Sequence, residues 1–163
     1  MGEWPHLGHI VSAAGNDNAD VINRRNILCG QINSVLYYFG KCQSVIRQKL
    51  LSAYCYSLYG NVLWDLNYRY VKSVCVTWRK GLRCAWSLPS DTHCALLPVL
   101  SNTLPVFDEL AKRSVRFMQR CLSSDSFAVR FIANCGVYVG RMFSPIARNA
   151  FSVVLVMGSQ QTI

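Results

Sequence analysis

Three histidines (His6, His9 and His93), eight acidic side chains and eight cysteines are the groups from which this 163-residue chain would build proton transfer, metal binding or nucleophilic attack. Nucleophilic catalysis needs a nucleophile, a base and an orienting group brought together, and no Gly-x-Ser-x-Gly turn accompanies the three histidines. A metal could be sought between His6, His9 and a cysteine, or between His93, Cys94 and Cys84. Adjacent or i+3 ligands on a strand do not aim at one point, so these histidines read as surface or turn residues. The cysteines, at 29, 42, 55, 75, 84, 94, 121 and 135, are never closer than nine residues, which removes every Cys-x-x-Cys motif. Two-metal phosphoryl chemistry needs clustered carboxylates. The only adjacent acids, Asp108 and Glu109, sit where the first turn of a helix accounts for them. Gly136 and Gly140 are not followed by the Lys-Ser/Thr of a phosphate-cradling loop. No catalytic residue, metal or cofactor is expected.

What remains is charge. Seventeen Lys and Arg stand against eight Asp and Glu, a formal net charge of +9 with a pI near 9.4, while hydrophobic residues make up 52% of the chain. Such a composition folds rather than staying disordered and favours an anionic partner. The cations are grouped. At about 100° per residue, Arg69, Lys72, Arg79, Lys80 and Arg83 fall within roughly 100° of one helix face, with Val76 the one apolar residue among them. Lys112, Arg113, Arg116 and Arg120 share the outer face of a later helix. A solvated helix face is often basic, but ordinary surfaces mix signs. A single-sign stripe suits the sequence-independent contact made with a phosphate backbone. Tyr68 and Tyr70 are placed to add stacking, and Trp78 reads as core.

The elements that must carry these faces are mostly helical. The fold class expected is mostly α, a helical bundle of about five to seven helices with a short N-terminal β-strand or extended segment. Residues 7–11 form the strand-like run, followed by a turn at Gly15-Asn16-Asp17-Asn18. A helix is predicted over 20–39, capped by Asn18 or Asp17, stopped at Gly40 and apolar at Val21, Leu28, Ile32, Val35, Leu36 and Phe39. A second, over 43–59, is apolar at Ile46, Leu50, Leu51, Tyr54 and Leu58. The short link makes the two a helical hairpin. The basic helix spans about 68–86, with Val71, Val74, Cys75, Trp78, Leu82, Ala85 and Trp86 on its apolar side. A helix over 92–100, kinked or ended early by Pro98, precedes one from Pro105 to about Leu122, with Val106, Leu110, Phe117, Met118 and Cys121 inward. Further helices are expected over 127–139 and 144–157.

The N-terminus has neither the basic nor the apolar region of a signal peptide. No stretch supplies the roughly 20 apolar residues of a membrane span. An intracellular protein with reduced, mostly buried thiols and no membrane contact is the expectation.

The order of several short segments carries a resemblance. Leu7-Gly8-His9-Ile10 precedes a helix containing Gly30-Gln31-Ile32-Asn33. Ser52-Ala53-Tyr54-Cys55-Tyr56-Ser57-Leu58-Tyr59-Gly60 and Leu63-Trp64 come next. Trp78-Arg79-Lys80-Gly81-Leu82-Arg83 is then followed by Trp86, Leu88-Pro89, Thr92-His93 and Arg113 through Phe117. In joint order and spacing, from about residue 4 to about 150, the chain resembles the C-terminal thumb and connection part of a non-LTR (LINE-type) retrotransposon reverse transcriptase.

The resemblance implies a division into a palm-end remnant over 1–17, thumb-like helices over 18–87 and a helical connection over 88–163. It implies that Leu7 and Gly8 correspond to the primer-grip segment and that the helices hold an RNA or DNA template–primer by its backbone. The aromatic-x-Asp-Asp motif of the family has no counterpart, and Asp17, Asp20 and Asp65 stand alone. The chain is therefore expected to be a truncated, catalytically inactive fragment, beginning at an internal methionine, with non-specific nucleic-acid affinity. Surface that a palm would bury, with Trp4, Tyr37, Tyr38, Tyr56 and Tyr59 as candidates, is expected to promote self-association. The rival expectation is a helical protein-interaction or structural module, or a pseudogene product, without selected nucleic-acid binding.

Overall fold

The computed structural model describes residues 2–6, 8–13, 15–58, 60–138, 145, 148 and 149. Leu7, Tyr59 and most of the helix expected over 144–157 lie outside them. The described chain is mostly helical, with six α-helices behind a short N-terminal two-stranded antiparallel hairpin. It divides into two compact units, residues 1–59 with 69–106 and residues 60–68 with 107–163.

The hairpin opens the first unit. β1 (Glu3–His6) pairs with β2 (His9–Ser12) in the register Glu3 to Ser12 and His6 to His9. Gly8, at φ 81°, supplies the left-handed turn that glycine takes without steric cost. Where a single strand over 7–11 was expected, the turn therefore falls inside that run. Pro5 is tolerated because β1 is an edge strand and needs no amide donor there.

α1 (Asn18–Phe39) starts at Asp17 and gives way at Gly40. Asp20, in its first turn, is only 3% exposed and ties the hairpin down. Its Oδ1 accepts the Ile10 amide at 3.0 Å, and its Oδ2 lies 3.2 Å from His9 Nδ1. Arg24, one turn on, donates to the Gly8 carbonyl. A buried carboxylate is tolerable only when its lone pairs are met in this way.

α1 packs on α2 (Ser44–Cys55) and on α3 (Arg69–Ala85), and α3 also meets the short α4 (Leu96–Ser101). The core is built from Val21, Leu28, Ile32 and Val35 of α1, Leu51 and Cys55 of α2, Leu58, the α3 stripe Val71, Val74, Trp78, Leu82 and Ala85, and Leu97 of α4. Tyr56 lies against Trp78, ring centroids 4.7 Å apart. Gly81 is the close-approach point: a Cβ there would stand 2.9 Å from Ile32 Cδ1.

Three expected core positions face solvent instead. Phe39, Ile46 and Tyr54 are exposed, because no described helix covers those positions of α1 and α2. Pro98 neither kinks nor ends α4. It sits in the first turn, where its missing amide proton is not needed. The helix ends three residues later at Ser101; the next residue, Asn102, adopts left-handed geometry and returns its amide to the Pro98 carbonyl. The start of α4 is also later than 92. Residues 91–95 form turns, with the Thr92 hydroxyl donating to the Pro89 carbonyl.

The second unit holds the 3₁₀ turn Asn61–Leu63, α5 (Val106–Leu122) from its second residue onward, and α6 (Phe127–Tyr138). Among the described residues, Trp64, Leu66, Leu110, Met118 and Ala133 are its buried apolar side chains. A polar clamp accompanies them. Asn149 receives the Leu66 amide at 2.9 Å and donates to the Trp64 carbonyl at 2.6 Å. Asp65, itself buried, pairs with Arg148 at 2.8 Å and accepts the Asn67 amide. Asp65 is thus a structural ion and not a stray acid.

Candidate nucleic-acid interface

α3 contains five cations and no acid anywhere along its seventeen residues. Its apolar stripe is pressed into the first unit, and that fixes the rotation of the helix. The sector bearing Arg69, Lys72, Arg79, Lys80 and Arg83 consequently turns away from the core. Lys72 and Lys80 are exposed and Arg79 half-buried, and none of the three carries a hydrogen bond or ion pair among the described residues.

The two ends of the sector differ. Arg69 donates to the Tyr70 hydroxyl at 2.9 Å and lies 4.9 Å from that ring's centroid. The hydrogen bond with Tyr70 holds its guanidinium above the ordinary arginine range. Arg83 bonds twice to the Thr92 carbonyl, at 2.8 and 3.2 Å, and once to Cys94 Sγ at 3.3 Å. It therefore holds the segment after α3 as well as contributing charge. Trp78 is core, leaving Tyr70 as the half-buried ring on α3.

α5 distributes charge differently. Lys112, Arg113, Arg116 and Arg120 share a face, but Glu109 lies in the same sector. It engages Arg113 at 3.1 Å and Lys112 at 3.7 Å. Arg116 and Arg120, further along, are exposed. Of the primer-grip-like pair, Gly8 is the hairpin turn and its carbonyl is taken by Arg24; Leu7 is outside the described residues.

One feature of this region was not anticipated. A groove of about 510 Å³ runs between α1 and α3 within the first unit. Arg25, Asn26, Cys29 and Asn33 form its α1 wall, and Ser73, Thr77, Lys80 and Cys84 its α3 wall. Ile32, Leu36, Val76 and Gly81 make up the rest of its lining. Lys80 thus belongs both to the groove and to the basic sector, and Arg25 adds a second cation from another helix. The i, i+4, i+8 series Arg25, Cys29, Asn33 and Ser73, Thr77, Gly81 are the marks such a seam leaves in a sequence.

His6 and His9 do face each other across the hairpin, closer in arrangement than two residues on one strand. His9 is nevertheless engaged with Asp20. Among the described residues no group of three His, Cys, Asp or Glu side chains is placed to hold a metal ion. No disulfide joins the cysteines. Only Cys55 is buried, whereas Cys29, Cys84 and Cys94 are exposed, contrary to the expectation of mostly buried thiols. Burial pushes the Cys55 thiol up to about 11. No described helix is long and apolar enough to cross a membrane. Comparison of the chain with protein-family models, with curated proteins and with solved structures found no match.

Proposed function

We propose that this chain is a helical nucleic-acid-binding module of the thumb-and-connection type found in LINE-type reverse transcriptases, without polymerase activity of its own, which grips phosphate backbones through the basic sector of α3. The observation that carries the reading is the acid-free α3, with Lys72, Arg79 and Lys80 unpaired on the side facing away from the core. Cations with no internal partner exchange condensed counterions for phosphates at little cost, so affinity follows salt and not base sequence.

The test is a salt titration of binding to duplexes of unrelated sequence, with and without neutralisation of Lys72, Arg79 and Lys80 to glutamine. Arg83 is left intact because its loss would also free the Thr92 segment. Affinity should fall steeply with salt, differ little between sequences, and drop to near background in the triple variant. Equal retention of the unaltered protein on heparin and on a neutral resin at low salt would sink the reading.

A second reading, a protein-interaction module, draws on exposed apolar groups. Tyr37 and Tyr38 are 82% and 75% exposed and stack edge-to-face at 5.1 Å. Trp4 is exposed too, whereas Tyr56 is occupied by Trp78. In the second unit Phe127 and Phe131 lie exposed along α6. Isolated patches of this kind mark contact surfaces or self-association. Sedimentation of the wild type beside a Tyr37→Ser/Tyr38→Ser variant separates the two: the second reading requires a larger species that the variant loses.

A further inference from the structure

We propose that the groove between α1 and α3 receives one unpaired nucleotide of a single-stranded nucleic acid, its phosphate between Arg25 and Lys80 and its base over the apolar part of the lining. The inference rests on the nucleic-acid reading above and narrows it from any phosphate backbone to strands with an unstacked base.

Charge selects the class of ligand first. Twelve residues line the groove, two of them cationic and none acidic. Arg25 is oriented for the task. Its Nε and one terminal nitrogen both donate to Asn26 Oδ1, at 3.3 and 2.8 Å, leaving the opposite edge of the guanidinium fork to meet an anion. Lys80 has no partner among the described residues.

The lining then selects for a flat ring. Ile32, Leu36 and Val76, with Ile32 seated against Gly81, offer an apolar bed. A volume of this size falls within the range of small-ligand sites, about 300–1,000 Å³. The polar wall groups complement a base or sugar. The Ser73 hydroxyl donates to the Tyr70 carbonyl and the Thr77 hydroxyl to the Ser73 carbonyl. Both oxygens are therefore left as acceptors, suited to an exocyclic amino group or a sugar hydroxyl. Asn33 reaches only Cys29 Sγ, at 3.9 Å, so its amide is available to donate and accept.

A paired base has its edges and faces already occupied and does not enter such a groove; an unpaired one does. Because Lys80 also belongs to the α3 sector, a strand seated in the groove continues directly onto Lys72 and Arg79.

The cysteines give the experiment its readout. Cys29 and Cys84 line the groove, while Cys94 lies beside Arg83 on the basic side of α3. The rate of labelling by a small maleimide is followed at each thiol with a short single strand rich in adenine and cytosine, and with the same strand annealed to its complement. The single strand should slow labelling of Cys29 and Cys84 several-fold, whereas the duplex should slow only Cys94. Asn33→Leu removes the polar group of the α1 wall, outside the α3 basic sector, without altering charge at an exposed position. It should cost about tenfold in single-strand affinity and leave duplex affinity unchanged.

Unprotected Cys29 and Cys84 beneath a bound single strand overturn the groove proposal while leaving the basic-face reading standing. Equal single-strand affinity for wild type and Asn33→Leu also overturns it. Failure of both ligands to bind overturns both.

Discussion

α3 and α5 are both seventeen-residue amphipathic helices with a cationic outer face, yet they present different fields. On α3 every charge has one sign. On α5 Glu109 sits among the cations and spends two of them, Lys112 and Arg113, on local pairs. Solvent-accessible pairs of this kind contribute little to stability, about 0–1 kcal/mol, but they cancel charge that a phosphate would otherwise meet. A tally of cations per helix therefore overstates α5. The position of the nearest carboxylate decides whether a basic stripe can attract an anion.

The contrast can be broken or sharpened in several ways. The largest effect is on the platform that orients α3. Trp78→Ala empties its buried stripe and should cost about 3–5 kcal/mol in unfolding experiments, abolishing binding at physiological temperature. Gly81→Val, forced against Ile32, should cost about 1–3 kcal/mol by the same measurement.

Next comes the field itself. Neutralising Lys72, Arg79 and Lys80 should lower the slope of log affinity against log salt by about three, since each lost phosphate contact removes about 0.9. Neutralising Arg116 and Arg120 should lower it by at most two thirds as much; equal slopes would erase the distinction between the helices. Glu109→Gln is the sharpening variant. Removing the carboxylate beside Lys112 and Arg113 should raise duplex affinity a few-fold.

The smallest effect concerns pH. The Cys55 thiol is raised by burial from 9.0 to about 11, so the folded state disfavours the thiolate. Its contribution to stability is complete below pH 9 and is lost as pH rises toward 11. Thermal melts should accordingly show no Cys55-dependent change between pH 7 and 8, and a wild-type decline above pH 9 that Cys55→Ala lacks.

Much of the fold was legible because strong amphipathicity leaves a period. α3 and α5 fall within a residue or two of their expected ends, and their inward residues are largely those the period selects. The period says which residues share a face, but it does not say how far the neighbour on that face extends. That is why Phe39, Ile46 and Tyr54 read as core and stand in solvent. β1 leaves a weak mark in the sequence because Pro5 disfavours a strand unless that strand is an edge.

The candidate interface was half legible. The cations of α3 follow from helical arithmetic alone. The tie of Arg83 to Thr92, the neutralising reach of Glu109 and the contribution of Arg25 across the groove depend on backbone placement. Arg25 in particular needs two helices at a fixed distance, set by Gly81 against Ile32, and a pattern within one helix carries no information about that spacing.

The Asn149 clamp has a consequence for the order of events during synthesis. Its two bonds reach back 83 and 85 residues, to Leu66 and Trp64, across the stretch that supplies α3 and α4 of the other unit. On a ribosome the 60–68 segment therefore emerges long before its polar partner exists. Residues 1–59 and 69–106, whose helices meet over shorter separations, have the opportunity to assemble first. The segment between them keeps its local turn bonds but waits for its distant polar partner until residue 149 clears the exit tunnel. A ribosome stalled short of that point should expose Leu66 and Trp64 to protease, and one stalled well beyond it should protect them.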